Sequence, residues 1–274
     1  MIGLLSYGNQ IRCGTYQLHS KFSSAANFFS DDAFAFVVDT RVGAGPLNIV
    51  LEGVKLDSLR SLEIKNDCIY LNDDHFSLSD SALFNSNIQI DRIDKNKFQD
   101  NMRFLESALI EYSPPKSLVF LIDSERKKEF ISSFDLAMVN RFEEGVRNLL
   151  AGDYQIGVEA IKGLGYGLTP GGDDFISGFL IALHVSQQIL KTDFSQIIDI
   201  IHRAAKGSNS FTNIFLDCAA RGHVSEKFKK LIFALCSSNE NTIEQYTREL
   251  LTVGATSGTD QAVGFLIGIK GFML

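Results

Sequence analysis

Residues 163–183 read GLGYGLTPGGDDFISGFLIAL, a glycine-dense loop that runs straight into an apolar stretch. Residues 254–269, GATSGTDQAVGFLIGI, repeat the arrangement. Both begin on G-x-T-x-G-x-D, as Gly167, Thr169, Gly171, Asp173 and again as Gly254, Thr256, Gly258, Asp260, a spacing of 87 residues. An echo of this kind points to one supersecondary unit used twice. Two glycine turns that open two apolar helices suggest a single site assembled from two helix N-termini.

Working outward from this pair, the pattern on both sides is helical. Apolar residues at three-to-four spacing predict helices near 170–190, 193–206, 208–221, 225–237, 240–252 and 257–272. Upstream, SERKKEFISSFDLAMVNRFEEGVRNLLAG from residue 124 reads as helix, with Gly152 as its stop. Before that the texture changes. AFAFVVDT (33–40), GPLNIVLEG (45–53), LEIKNDCIYLND (62–73), HFSLSD (75–80) and SNIQIDRI (86–93) are short, alternating or β-branched, and separated by turn residues such as Gly43-Ala44-Gly45 and Asn72-Asp73-Asp74. Residues 95–112 read as helix, and SLVFLID (117–123) as a buried strand or the lead-in to the next helix. The fold class expected is α+β. An N-terminal antiparallel β-rich sandwich or barrel occupies residues 1–123, and an all-helical domain with both glycine motifs occupies 124–274.

The loop carries the chemistry. Each glycine in an ordered segment costs about 0.5–1 kcal/mol relative to alanine, so five within 163–172 imply a backbone that needs positive φ or close approach. Thr169 suits an N-cap and Pro170 the first helical position. The amides of Gly171, Gly172 and Asp173 would then be free to meet an anion. There is no lysine of the kind a Walker loop needs, and G-L-G-Y-G does not have dinucleotide-loop spacing. Helix entry with glycines for close packing is the structural alternative. Asp173 and Asp174 fall in the first turn, where acids gain about 0.3–1 kcal/mol from the helix dipole with no ligand at all. Three functional uses stand beside that: a carboxylate on Mg²⁺, a hydrogen bond to a substrate amide or hydroxyl, or a general base. Asp260 repeats the position, which makes Asp173 and Asp260 the candidate catalytic pair. Thr256, Ser257, Gly258 and Thr259 offer hydroxyls and amides to a carboxylate or phosphate, or simply cap the helix. Gly264 and Gly268 read as tight helix packing. Between the copies, Arg221 is a candidate carboxylate or phosphate clamp, with His223 beside it as a titratable group.

Bulk properties narrow the class. The 274 residues are 45% hydrophobic with a net charge of −7. No Lys/Arg block is present, which argues against nucleic acid as a partner. Four dispersed cysteines without C-x-x-C fit reduced thiols of a cytoplasmic protein. The start lacks the build of a secretory signal, and no apolar run reaches bilayer length.

GLGYGLTPGGDDFISGFL, TNIFLDCAARGHVSEKF and TSGTDQAVGFLIG together resemble the family of the oxamate carbamoyltransferase subunit AllH. The resemblance covers residues 163–268. It implies one subunit of an assembly with two partner proteins, active in anaerobic allantoin degradation, which exchanges a carbamoyl group between oxalurate and phosphate to give oxamate and carbamoyl phosphate. It also marks Gly165, Gly167, Thr169, Pro170, Gly172, Asp173, Asp174, Arg221, His223 and Thr256 to Asp260 as motif positions. Tyr166 stands where the family commonly has proline, and Ala255 where a histidine or similar polar residue is common. The S-T-R-T loop of ordinary carbamoyltransferases is absent. The leading expectation is therefore a carbamoyl-transferring subunit that holds a small anionic metabolite at two helix N-termini. The alternatives are a non-catalytic scaffold subunit and a stand-alone Mg²⁺-dependent enzyme on a phosphorylated metabolite.

Overall fold

A computed structural model of the chain describes residues 2–31, 33–79, 82–90, 93–166 and 169–273. Among these the protein is α+β, a curled β-sheet followed by helices. Two compact units are present, one running to Asn87 and including Val224–Lys227, the other formed by Ile88–His223 and the chain from Phe228 onward.

The first unit is a single nine-stranded sheet: β1 (Gly3–Gly8), β2 (Gly14–Lys21), β3 (Ala25–Ser30), β4 (Ala33–Val38), β5 (Asn48–Glu52), β6 (Ser61–Ile64), β7 (Cys68–Leu71), β8 (Asp74–Ser77) and β9 (Leu83–Phe84). Its strand order is β8-β7-β6-β2-β3-β4-β5-β1-β9, antiparallel except for the β4–β5 and β1–β9 pairs. Register shifts in β1 between Leu4 and Ser6 and in β2 between Leu18 and Ser20 bend it into a half-barrel. Tyr16, Phe28, Val37, Ile49, Leu51, Leu62 and Ile69 fill the concave core. Strands β1 to β3 precede the first strand expected from the sequence.

Segment 86–93, expected as a strand, forms only an isolated bridge at Asn87 within its described part. The reason is local. The Ile90 N–H bonds to Gln188 Oε1 at 2.8 Å, and Gln188 Nε2 donates to the Ile88 carbonyl at 3.1 Å. A glutamine side chain thus satisfies backbone groups that a strand would have paired.

The second unit contains α1 (Lys95–Tyr112), α2 (Ser133–Ala151), α3 (Tyr154–Ile161), α4 (Gly171–Leu190), α5 (Ser195–Ala205), α6 (Ser210–Ala220), α7 (Glu226–Ser237, which enters this unit at Phe228), α8 (Glu240–Leu251) and α9 (Ser257–Met273). Ser132 and Asp135 form a capping box at the start of α2, and Gly152 ends it at φ 92°. Helix α3 was not anticipated. Residues 118–121 form a 3₁₀ turn in place of the expected strand or lead-in.

Helices α4 and α9 are the apolar centre, buried on almost every side. They lie side by side and parallel, with their N-termini together. Glycines allow the contact. A Cβ on Gly178 of α4 would lie 1.8 Å from the Gln261 carbonyl oxygen of α9, and one on Gly264 of α9 would lie 2.1 Å from the Phe175 carbonyl oxygen of α4. Gly268 continues the seam, its Cβ position 2.6 Å from the Ala182 Cβ. The first two contacts are reciprocal. Adding 86 to 175 and 178 gives 261 and 264, so the two helices exchange places under one local two-fold relation.

Candidate functional site

That relation corrects the register of the sequence echo. The helices start at Gly171 and Ser257, 86 apart rather than 87. Gly172 then matches Gly258. A Cβ on each would strike the last turn of the preceding helix, 1.8 Å from the Ile161 oxygen and 2.0 Å from the Leu250 oxygen. The tetrapeptide GFLI occurs at 178–181 and again at 264–267 in the same register. The structural counterpart of Asp260 is therefore Asp174, not Asp173. The threonines fixed the 87-residue reading, and they sit in loops of unequal geometry outside the helices.

The two N-termini touch through hydroxyls. Thr169 Oγ1 lies 3.1 Å from Ser257 Oγ. Thr169 is not the cap expected of it, because Pro170 holds that position and no side chain caps the helix. The amides expected to be free are largely used. Gly172 N–H bonds to the Leu164 oxygen at 2.8 Å, Asp173 N–H to the Pro170 oxygen at 2.9 Å, and Gly258 N–H to the Val253 oxygen at 3.0 Å. The loop closes over the end of α4: Gly165, at φ 126°, would place a Cβ 2.6 Å from the Gly171 nitrogen. Any side chain there would block the approach. Gly167 lies outside the described residues.

Three carboxyls stand in the first turns of the two helices. Asp173 is buried, and its Oδ1 accepts the Gly163 N–H at 2.8 Å. Burial raises its pKa, against that bond and the Lys162 charge. Asp260 is 3% exposed, and its Oδ1 accepts the N–H of Leu118, the first residue of the 3₁₀ turn, at 2.7 Å. Burial pushes Asp260 up to about 7, against the Leu118 N–H and the Thr256 hydroxyl. Asp174 is raised well above the usual carboxylate range, by burial first and then by the Asp260 charge, opposed by the Ser257 and Thr169 hydroxyls, with Asp173 adding to the rise. Its Oδ2 is buried and makes no hydrogen bond, and neither does Thr259 Oγ1. The result is an acidic and hydroxylic cluster at the positive ends of two parallel helices, with Asp173, Thr259 and Asp260 buried and Thr169, Asp174, Thr256 and Ser257 half-buried, where the dipoles reinforce each other and favour negative charge.

Arg221 and His223 are elsewhere. The Arg221-Gly222-His223 turn packs on His184, with the Gly222 Cβ position 3.3 Å from His184 Nδ1. His184 is thirteen residues along α4 from Gly171, about 20 Å at 1.5 Å per residue. Burial lowers the His223 pKa, helped by Arg221, His184 and Lys229. Burial likewise pushes Cys218 up to about 11. On the neighbouring helices, Asp217 accepts from His202 at 2.6 Å and pairs with Lys206 at 2.9 Å. Among the described residues no group of three or more His, Cys, Asp or Glu side chains is placed to hold a metal ion.

One further feature of the loop was missed from sequence. The Tyr166 hydroxyl donates to Asp135 Oδ1 at 3.3 Å, and its ring stands 5.7 Å from Phe134. Asp135, bonded by Lys116 at 3.0 Å, is held down to about 2, chiefly by that lysine.

The stretch that holds this geometry runs from the last residue of α3 to the body of α9. Residues 161–269 match the family model described as oxamate carbamoyltransferase subunit AllH. The matched stretch is under half of the chain, and it contains both helix N-termini and every carboxyl of the cluster. An AllH-type chain is by its description one subunit of a larger enzyme. No curated protein and no solved structure matches the chain.

Proposed function

We propose that the chain serves as a carbamoyl-transferring subunit, and that the reacting carbamoyl group is handled where α4 and α9 begin. One observation carries this reading: the segment matched to the oxamate carbamoyltransferase subunit is the segment that brings together Asp260, buried, and Asp174, half-buried with a buried Oδ2, both with raised pKa values. Carboxyls tuned toward neutrality are what general acid–base work at physiological pH requires. In transfer from oxalurate to phosphate, a phosphate oxygen bonds the carbamoyl carbon and the bond from that carbon to the oxamate nitrogen breaks. The nitrogen gains a proton and the phosphate gives one up. A pair that carries one proton supplies the first and receives the second, ending as it began. The partner subunits implied by the AllH description complete the assembly. The test is reconstitution: carbamoyl phosphate formation from oxalurate and phosphate by the assembly, with and without this chain. Formation only when the chain is present supports the reading, and an undiminished rate without it ends the reading.

A docking role has its own support. Tyr166 and Phe134 are 63% and 54% exposed although their rings pair, and Ile131 just before α2 is 81% exposed. Large apolar side chains held out at a surface mark contact sites. Replacing Phe134 and Tyr166 by serine should weaken subunit assembly, read by size-exclusion chromatography, while the isolated chain unfolds at its usual midpoint.

A further inference from the structure

The local two-fold relation places Asp174 and Asp260 as equivalents beside the hydroxyls where the two helices begin, Asp174 against Ser257 and Thr169 and Asp260 against Thr256. Compensation of the helix dipoles explains why acids stand in these first turns. It does not explain Asp174 Oδ2. Asp173 and Asp260 each take a backbone N–H, from Gly163 and Leu118, whereas the buried Asp174 Oδ2 takes none. Thr259, fully buried in the adjoining turn, also has an unpartnered hydroxyl. Buried polar atoms without partners are rare and call for an explanation.

The neighbours restrict what can complete them. A phosphate or carboxylate seated directly on the pair would meet two carboxyls and be repelled. Two carboxyls that share a buried site hold one proton between them, since both cannot ionise together. Such a pair offers one O–H donor and one anionic acceptor. The complementary ligand is neutral and carries an N–H donor and a C=O acceptor in a fixed plane.

We propose that Asp174 and Asp260 together bind the primary-amide end of the substrate, one carboxylate oxygen accepting its N–H and the protonated carboxyl donating to its C=O. This rests on the carbamoyl-transfer reading and deepens it. The amide or carbamoyl end of oxamate or oxalurate faces the first turns of the two helices and the carboxylate end points away, so this site discriminates against a second carboxylate in place of the amide.

Oxamate and oxalate differ only by NH₂ against O⁻ at one end, and they serve as matched probes. Titration calorimetry of the full chain should show oxamate binding at least about 100-fold more tightly than oxalate. Oxamate affinity should rise as pH climbs through the about 7 of Asp260, where that carboxyl becomes the anionic acceptor while Asp174, raised further by its neighbour's charge, keeps the shared proton. Asp260→Asn, which cannot ionise, should flatten that pH dependence, whereas Asp174→Asn, which keeps a donor, should retain it. Oxalate binding as tightly as oxamate, a pH-independent wild-type affinity, or no oxamate binding at all would each overturn the proposal. The two readings fail separately. Amide-selective binding by a chain that transfer does not require ends the transfer reading alone. A chain required for transfer but indifferent to the amide ends this inference alone.

Discussion

At the residue scale, one-position distinctions decide roles. Asp173 and Asp174 are adjacent, yet Asp173 closes the Gly163 turn while Asp174 presents a buried oxygen with no partner. Asp173→Ala should therefore cost about 0.5–1.5 kcal/mol in urea unfolding, the net worth of a hydrogen bond whose donor, on the exposed Gly163, water can reach, and Asp173→Asn, which keeps an acceptor, clearly less. Equal losses for the two variants would show that the bond to Gly163 contributes little. Asp260 makes a distinct pH prediction. Its carboxyl rises from the ordinary range near 4 when unfolded to about 7 when folded. The native state then binds the extra proton, so stability is greatest below about pH 4, falls as pH rises to about 7 and is flat beyond. The slope amounts to on the order of 4 kcal/mol. Asp260→Asn removes it, and the variant should gain on wild type at pH 8 far more than at pH 4. Parallel stability curves across that range would contradict the assignment.

At the scale of elements, the α4–α9 pair is what the sequence made most readable. Its glycine turns, its apolar runs and the packing role of Gly264 and Gly268 all follow from pattern. The register did not, because G-x-T-x-G-x-D spans loop and helix, and the loops differ by one residue. GFLI lies wholly inside the helices and keeps the helical register. Arg221 and His223 looked like site residues because they are polar punctuation between two motifs, and sequence spacing says nothing of a 20 Å separation along α4. The Gln188 bonds that replace a strand at 88–90 were equally hidden, being contacts between distant residues. The close crossing gives a sharp expectation. Gly178→Ala and Gly264→Ala each force a methyl onto a carbonyl oxygen at 1.8 and 2.1 Å, and the helices must separate. Overpacking of this kind costs about 1–3 kcal/mol or more, so thermal midpoints of both variants should fall well below that of Gly152→Ala, where no atom lies within 4 Å and only the positive φ is strained. Equal midpoints for all three would argue against the close crossing.

At the scale of the whole molecule, the α+β class and the helical character of the motif-bearing part were legible from composition and period. No helix among the described residues is long and apolar enough to cross a membrane. The net charge of −7 and the acidic cluster together disfavour an unassisted anion site on this chain, so phosphate is expected to reach the reaction from a surface that a partner subunit provides. The most direct measurement is the rate of carbamoyl phosphate formation from oxalurate and phosphate by the complete assembly carrying Asp174→Asn, with assembly checked on the same sample. An intact assembly slowed by about 100-fold or more, the scale of a lost proton-transfer group, is the expected result. An intact assembly at the wild-type rate would contradict a carbamoyl site at the paired N-termini of α4 and α9.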